Sequence, residues 1–544
     1  MDAAPESQLR ASGPVLVEVP GKEPRGDEER LRKGASGWWA LSAALALASG
    51  LGLRLWMLKH FFDVSGDALV YGGLAKNLLL HGRFALTVAS GEIYPTLIRL
   101  PGYPLYLALC WRLFGMENYA SAAWVQICLE LFGCVLLADF AGHVARPRNQ
   151  RGADLATLWL AALCPFTAIY AAQPLTEALT LFTLCVALNA AGRFGVRPRW
   201  GSALAFTAAV TYAALLRPDG ALVGVALAPA MALVLWEKTI ESRHLQARSH
   251  EDAPVRLYGL KPVPIAEART SAGSMGRRKS ETPGGLLRMG LVCLLLALAP
   301  FAVWTARNWR VFHVFEPLAP RYATDPGEDI WPGWQRWMKT WCLDFVSTYD
   351  VYWNVPGDAL VLSKLPARAF DSTAQFAETA ALAADYNKGH ELSPEIDARF
   401  AKLAAERVRA NPLRYYVWLP LGRLADMTLR PRVENLPIDL DWWAYRRHRV
   451  ETRFSWAYAG LNALYLLLAL GGLSLRPRLW TWMAAYFVLR GVLLMNLEAP
   501  EARYTLEFFP MAFALGGVYV AHLLHRLRPG RSGDALAPGG KARI

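Results

Sequence analysis

Apolar runs of about 20 residues recur along the chain, separated by short polar breaks rich in arginine. They fall at Trp38–Leu58 and at about 118–141, 154–172, 174–192, 201–216, 219–236 and 286–305, then at about 454–473, 479–497 and 504–525. A helix needs roughly 20 apolar residues to cross a bilayer core, so the pattern predicts an α-helical polytopic membrane protein with about ten transmembrane helices. The even count puts both ends on one side, and Arg30, Arg32 and Lys33 before the first run make that side the cytoplasm. No internal repeat or inverted pair of halves is visible.

The breaks between the runs set the organisation. Residues 1–37 are polar, carry Gly, Pro and Glu throughout, and read as a disordered cytoplasmic tail. No basic segment leads into a short apolar stretch with a cleavage site, so the first run is a retained span. Arginine clusters at Arg146, Arg148 and Arg151, at Arg193, Arg197 and Arg199, and at Arg277-Arg278-Lys279 mark cytoplasmic loops. They fall on one side if residues 59–117 form an outer loop that does not cross. The core is then 38–305, with a basic cytoplasmic loop at 237–285. Residues 306–453 form a mostly helical extracytoplasmic domain, 454–527 the C-terminal transmembrane helices, and 528–544 a cytoplasmic tail.

Within the outer domain, Trp331, Trp334, Trp337 and Trp341 predict an irregular start lying against the membrane interface. Ser393-Pro394-Glu395 reads as an N-cap, an N1 proline and an acidic first turn, opening a helix that ends near Asn411-Pro412. Residues 413–429, interrupted by Pro420, Arg423 and Asp426, read as an amphipathic interfacial helix. Arg430, Arg432, Arg446, Arg447, Arg449 and Arg453 then lie outside, against the positive-inside rule. That placement leaves them to face lipid headgroups or an anionic substrate.

Composition sharpens the class. The chain is 54% hydrophobic and 19% charged, whereas its mean hydropathy is only +0.19. A soluble enzyme is excluded by the first two figures, and a compact all-membrane channel by the third. The net charge of +13 sits in short loops between apolar runs, which argues for lipid contact and against nucleic acid. Six of the seven cysteines lie in apolar stretches and only Cys342 in a polar one, so they read as packing residues without disulfides or zinc spacing.

Two acids at outer ends of spans are the first chemical candidates. Asp67 opens a segment, 66–82, whose Val70, Tyr71, Leu74 and Leu78 share one helical face; it reads as an amphipathic helix on the membrane, closed by Gly82. Glu177 sits in Pro174-Leu175-Thr176-Glu177 at the mouth of the fourth span. Either acid alone reads as a helix cap. Both on one face of one membrane, with apolar neighbours, point to use. Arg99 before Pro101-Gly102-Tyr103-Pro104, Arg217 before Pro218-Asp219-Gly220, Arg307-Asn308 and Glu501-x-Arg503-Tyr504 supply cations on that same side. Single arginines there commonly snorkel, but several converging on one cavity suit a phosphate. No Walker A loop, dinucleotide fingerprint, nucleophile elbow or zinc-protease helix is present.

These motifs resemble the GT-C polytopic glycosyltransferases over about residues 38–527. The likeness rests on the Asp67–x3–Tyr71 opening, Arg99-x-Pro-Gly-Tyr103-Pro leading to Leu113-Phe114-Gly115, Pro174-Leu175-Thr176-Glu177, Leu216-Arg217-Pro218-Asp219-Gly220, Trp304-Thr305-Ala306-Arg307-Asn308 and Glu501-x-Arg503-Tyr504. The superfamily includes the protein O-mannosyltransferases and the lipid A aminoarabinose transferase.

The resemblance implies an inverting transfer of a sugar from a polyprenyl-phosphate donor to a hydroxyl of a lipid, glycan or protein acceptor, on the outer face of an inner membrane. Asp67 would be the general base, with Glu177 orienting the base or acceptor. Arg99, Arg217 and Arg503 would stabilise the departing phosphate, with Tyr71, Tyr103, Arg307, Glu501 and Tyr504 in the binding set. Ala68-Leu69-Val70 and the Pro-Gly-Tyr-Pro corner depart from the lipid A enzyme, which speaks against its substrate here. Asp67 lacks the adjacent acid that a bridging divalent metal would use, so no obligatory cofactor is expected. A transporter or lipid-linked sugar flippase is the alternative, which midplane charges or repeated halves would favour.

Overall fold

The structure, a computed structural model, describes residues 26–251, 283–444 and 448–527. The loop cluster Arg277–Lys279, the tail 528–544, Arg446 and Arg447 lie outside them. By contact the chain divides into Met1–Leu45 and Ala46–Ile544. The described part of the first unit is helical from Gly26, so the helix reaches back into the stretch expected to be tail.

In chain order, α1 (Gly26–Phe61) is followed by α2 (Asp67–His81), a hairpin of β1 (Ala85–Thr87) and β2 (Ile93–Pro95), and α3 (Gly102–Phe114). The bundle continues with α4 (Tyr119–Val144), α5 (Gln150–Ala162), α6 (Pro165–Ala171), α7 (Thr176–Val196), α8 (Trp200–Leu216), α9 (Leu222–Glu251) and α10 (Pro283–Phe312). The block between α10 and the C-terminal helices, expected to lie outside, carries α11 (Pro332–Lys339), α12 (Phe345–Ser347), α13 (Thr373–Tyr386), α14 (Pro394–Ala410) and α15 (Leu419–Leu429). The chain closes with α16 (Arg449–Ser474), α17 (Trp480–Met495) and α18 (Phe509–Leu527).

Among the described residues, seven helical segments are long and apolar enough to cross a membrane. The run expected as one span at 154–172 is instead a pair, α5 and α6, bent by 57° where Pro165 starts a new helix. The runs at 201–216 and 479–497 form the shorter helices α8 and α17. By length and composition seven spans qualify among the described residues, or eight if the bent pair is one span, with α8 and α17 as shorter apolar helices beside them.

Small residues set the packing at the centre. Helix α18 packs against α5, α16 and α4, and α4 against α7. A side chain at Gly517 would lie 2.0 Å from Thr157 Oγ1, and one at Gly472 2.0 Å from Leu515 O, so both positions need glycine for the helices to touch.

The outer block has its own core. Trp334, Trp337 and Trp341 are buried together against Phe400, with the Trp334 and Trp337 rings each 5.0 Å from Phe400. This overturns the expectation of an interface-hugging segment. The tryptophans lie on α11 and the turn after it, at helical spacing, and α14 covers them. Asp397 of α14 accepts from the amides of Gly333 and Trp334 at 3.0 and 2.8 Å, capping α11. Ser393 caps α14 as expected, its hydroxyl accepting from the Ile396 amide.

Helix α2 ends at Gly82, left-handed at φ 63°, as the sequence predicts. Its apolar face is covered by protein. Leu74 packs among Phe84, Leu97, Leu100 and Trp304, and Tyr71 against Tyr103 and Trp111. Arg430 and Arg432 are buried too, facing neither headgroups nor solvent. Arg432 donates to Ala502 O and lies 4.9 Å over the Phe509 ring.

Candidate active site

The ends of several helices meet in one place: the C-terminus of α8 and the N-termini of α2, α7 and the 3-10 turn Ala502–Phe508. Gly102 fixes part of this arrangement. Any Cβ there would sit 2.6 Å from Leu215 O, and Tyr212 Oη donates to Gly102 O at 3.1 Å. The start of α3 is thereby held against the end of α8, which brings the Arg99 loop beside Arg217.

The result is a cavity of about 610 Å³ whose wall includes Asp67, Tyr71, Arg99, Glu177, Arg217 and Arg503. Glu501 and Tyr504 also reach it. Arg99 Nη2 donates to Asp67 Oδ1 at 2.8 Å, and Arg503 Nη2 donates to Oδ2 at 3.2 Å. One carboxylate thus bridges two guanidiniums from opposite ends of the chain. Arg503 also lies 2.5 Å from Glu501 and 3.9 Å from Glu177, while Arg217 reaches Glu177 at 3.1 Å. Tyr504 donates to Glu501, and its ring lies under both Arg217 and Arg503, at 5.1 and 5.6 Å.

Behind this layer the network continues through residues that sequence reasoning did not place in the site. Arg217 reaches Asp219 and Glu507 at 3.2 and 3.6 Å, and both acids in turn hold Arg490, at 3.0 and 2.5 Å. Asp219 stood within a recognised motif, but Arg490 and Glu507 sit inside apolar runs and carry no local signal. The four arginines (99, 217, 490 and 503) face five acids (67, 177, 219, 501 and 507). No guanidinium is idle, so an incoming anion must compete with carboxylates for them.

The environments of the groups outside the spans differ. Burial pushes the Asp67 carboxyl up, but Arg503 and Arg99 outweigh it and hold the group below its ordinary range. Burial pushes Glu501 up, against the pull of Arg503 and Tyr504. Burial also pushes the Tyr71 phenol up to about 12, keeping it a neutral donor.

Two expected members do not reach the cavity. Tyr103 is fully buried, its hydroxyl donating to Gln126 Oε1 at 2.6 Å, and it supports Tyr71 edge to face at 5.0 Å. Arg307 lies over the rings of Phe84, Trp304 and Phe312 and donates to Thr96 O and Phe84 O at 2.9 and 2.7 Å. It fastens the first loop to α10. Among the described residues, no three His, Cys, Asp or Glu side chains form a set that could hold a metal ion.

At the other end of the bundle, arginines from two predicted cytoplasmic breaks converge with Arg478, which lies between α16 and α17. Arg193, Arg197 and Arg199 line one cavity with His143, which in turn shares a second cavity with Arg151 and Arg478.

No family model and no curated protein matches the chain. It is similar to two solved structures of ArnT from Cupriavidus metallidurans. One, bound to undecaprenyl phosphate, is 16% identical with a TM-score of 0.33, covering 89% of this chain and 78% of that one. The other, in the apo state, is 14% identical with a TM-score of 0.33, covering 90% and 77%.

Proposed function

We propose that the chain is an integral membrane glycosyltransferase that moves a sugar from a polyprenyl-phosphate donor to a hydroxyl acceptor, with inversion and with Asp67 as general base. The observation that carries this reading is the bridging of Asp67 by Arg99 and Arg503 at the wall of one cavity. A base and phosphate-binding cations are thereby held within one side chain's reach of each other.

The bridge also suggests how the base is released. A carboxylate clamped by two guanidiniums is a poor proton acceptor. A donor phosphate offers the same guanidiniums bidentate oxygens. As Arg99 and Arg503 turn to the phosphate, Asp67 loses its counter-charges and its proton affinity rises. It then takes the proton of the acceptor hydroxyl, the acceptor oxygen bonds to the anomeric carbon, and the bond from that carbon to the phosphate oxygen breaks. The lipid phosphate leaves with the electron pair, stabilised by Arg99, Arg503 and Arg217. Glu177, held by Arg217, keeps that arginine aimed at the cavity.

The membrane side follows from charge. The cavity lies at the end of the bundle opposite the arginine-rich breaks, which the positive-inside rule assigns to the cytoplasm. The site therefore faces outward, in an inner membrane by the branch the sequence resembles. A nucleotide-activated donor from the cytoplasm is thereby disfavoured.

The test is sugar transfer from a polyprenyl-phosphate-linked pool to membrane acceptors by reconstituted protein, beside Asp67→Asn. Loss of about 10²–10⁴-fold in a folded variant supports the reading. Equal transfer by both proteins removes Asp67 as base. Movement of lipid-linked sugar between leaflets without transfer would replace the enzyme with a flippase.

A further inference from the structure

A second cavity of about 680 Å³ adjoins the first, sharing Ser65, Leu175, Trp353, Glu501 and Arg503 as common wall. Its chemistry is different. The arginine side sets three cations beside Asp67, Glu177 and Glu501, whereas the described lining of this cavity includes Asp63, Glu434, Asp439 and Glu501 with Arg503 as the one cation among those described residues. Its roof is aromatic: Phe345, Tyr349 and Trp353 cluster with ring centroids 5.5 to 6.4 Å apart. Tyr349 and Trp353 are 51% and 46% exposed, unlike the buried tryptophans of the outer core.

Two polar atoms of the wall, Glu434 Oε2 and Asn435 Nδ2, have no hydrogen-bond partner among the described residues, while Glu434 Oε1 accepts from Tyr170 at 3.2 Å. A buried acceptor atom and a buried donor atom without partners, in a lining that also carries exposed aromatic rings, match a guest with many hydroxyls and apolar C–H faces. Ionised carboxylates accept hydrogen bonds and cannot donate them, so they favour hydroxyl or ammonium groups and repel phosphate.

We infer that this second cavity binds the acceptor as a sugar ring that carries no anionic group near its reacting hydroxyl, stacked on Trp353. The inference rests on the proposed transfer reaction and names its acceptor class. The arginine side takes the donor phosphate, and the reacting hydroxyl enters over the shared wall toward Asp67. The carboxylates would act as the repulsive element that turns away phosphorylated acceptors.

The experiment measures binding, so it does not depend on turnover. Full-length protein in nanodiscs containing a polyprenyl phosphate, which fills the arginine side, is titrated with methyl glucoside, methyl glucosaminide and glucose 6-phosphate. Saturation-transfer difference signals are read from the ring protons. The two non-anionic sugars should bind at least about tenfold better than the phosphate ester. Trp353→Ala should weaken them by about tenfold, and Glu434→Gln with Asp439→Asn should raise glucose 6-phosphate toward their level. Equal or tighter binding of the phosphate ester to the wild-type protein overturns the inference. So does retained binding in Trp353→Ala, or no signal from either non-anionic sugar. If transfer fails the Asp67→Asn test while these binding results hold, the cavity stands as a sugar site and the reaction reading alone falls.

Discussion

Arg503 Nη2 meets Asp67 Oδ2 at 3.2 Å across 436 residues of sequence, joining the last long helical segment to the first loop. The contact has two consequences, one for folding and one for chemistry. Arg503 also faces Glu501 and Glu177, so its removal leaves Glu501 buried without a cation, while Asp67 keeps Arg99 and Glu177 keeps Arg217. Arg503→Met is expected to lower the thermal midpoint strongly, with a loss of about 3–5 kcal/mol typical of a broken buried pair. Arg503→Lys keeps the charge but not the planar fork. It should fold, yet transfer sugar about 10²–10³-fold more slowly. Near-normal transfer by a folded Arg503→Lys protein would remove the fork from the mechanism.

Acid should act on this site twice. Asp67 is held below its ordinary range, so its contribution to stability is full above the unfolded carboxyl value of about 4 and is lost as pH falls through the lower folded value. Melting curves of wild type and Asp67→Asn should therefore begin to converge below about pH 4 and meet only at lower pH still. The rate profile should split differently. In the free protein the base is clamped, so kcat/KM should show no acid limb from Asp67 between pH 8 and about 5. Once a donor phosphate has drawn off the arginines, the acid limb of kcat should appear at higher pH than that of kcat/KM. Coincident limbs would mean that the phosphate does not release the carboxylate.

Span ends were readable from sequence because apolar runs stop abruptly and the charged residues there stand alone. Asp67, Glu177, Arg99, Arg217 and Arg503 were all found that way, and they share one cavity. Tyr103 and Arg307 stood in the same motifs yet turn elsewhere, because a motif fixes sequence neighbours and not the direction of a side chain. Arg490 and Glu507 gave no signal at all. Each is a lone charge within an apolar run, and its meaning is a partner on another helix. The tryptophans of the outer block misled for a related reason. An aromatic cluster beside a span reads as an interface belt until the helix that covers it, α14, is known.

Arg307 offers a check on that correction. Its guanidinium is used on the carbonyls of Phe84 and Thr96 and on Asn308 Oδ1, away from the cavity. Arg307→Gln should cost about 2 kcal/mol of stability through lost charge-assisted bonds. Donor KM, measured in the transfer assay, should stay within about threefold of wild type, because binding groups are untouched. A tenfold rise in donor KM with an unchanged melting point would return Arg307 to the substrate.

The strongest structural invitation to a transporter reading is the pair Arg54–Glu130, buried inside the bundle between α1 and α4. Its geometry argues against moving ions. Arg54 Nε meets Glu130 at 2.5 Å, and Nη1 donates to Gly50 O and Ala162 O at 2.9 and 2.6 Å. The space beside Glu130 is about 10 Å³, at the lower limit for a single water. A fixed pair of this kind predicts a specific mutational pattern. Arg54→Met leaves Glu130 charged and alone, and should lower stability by about 3–5 kcal/mol. Adding Glu130→Leu removes the stranded charge and should recover most of that loss, with sugar transfer near normal in the double variant. Thermal unfolding in detergent, paired with the transfer assay, separates the readings. A double variant that folds well but has lost all activity would make the pair a working part of a translocation path.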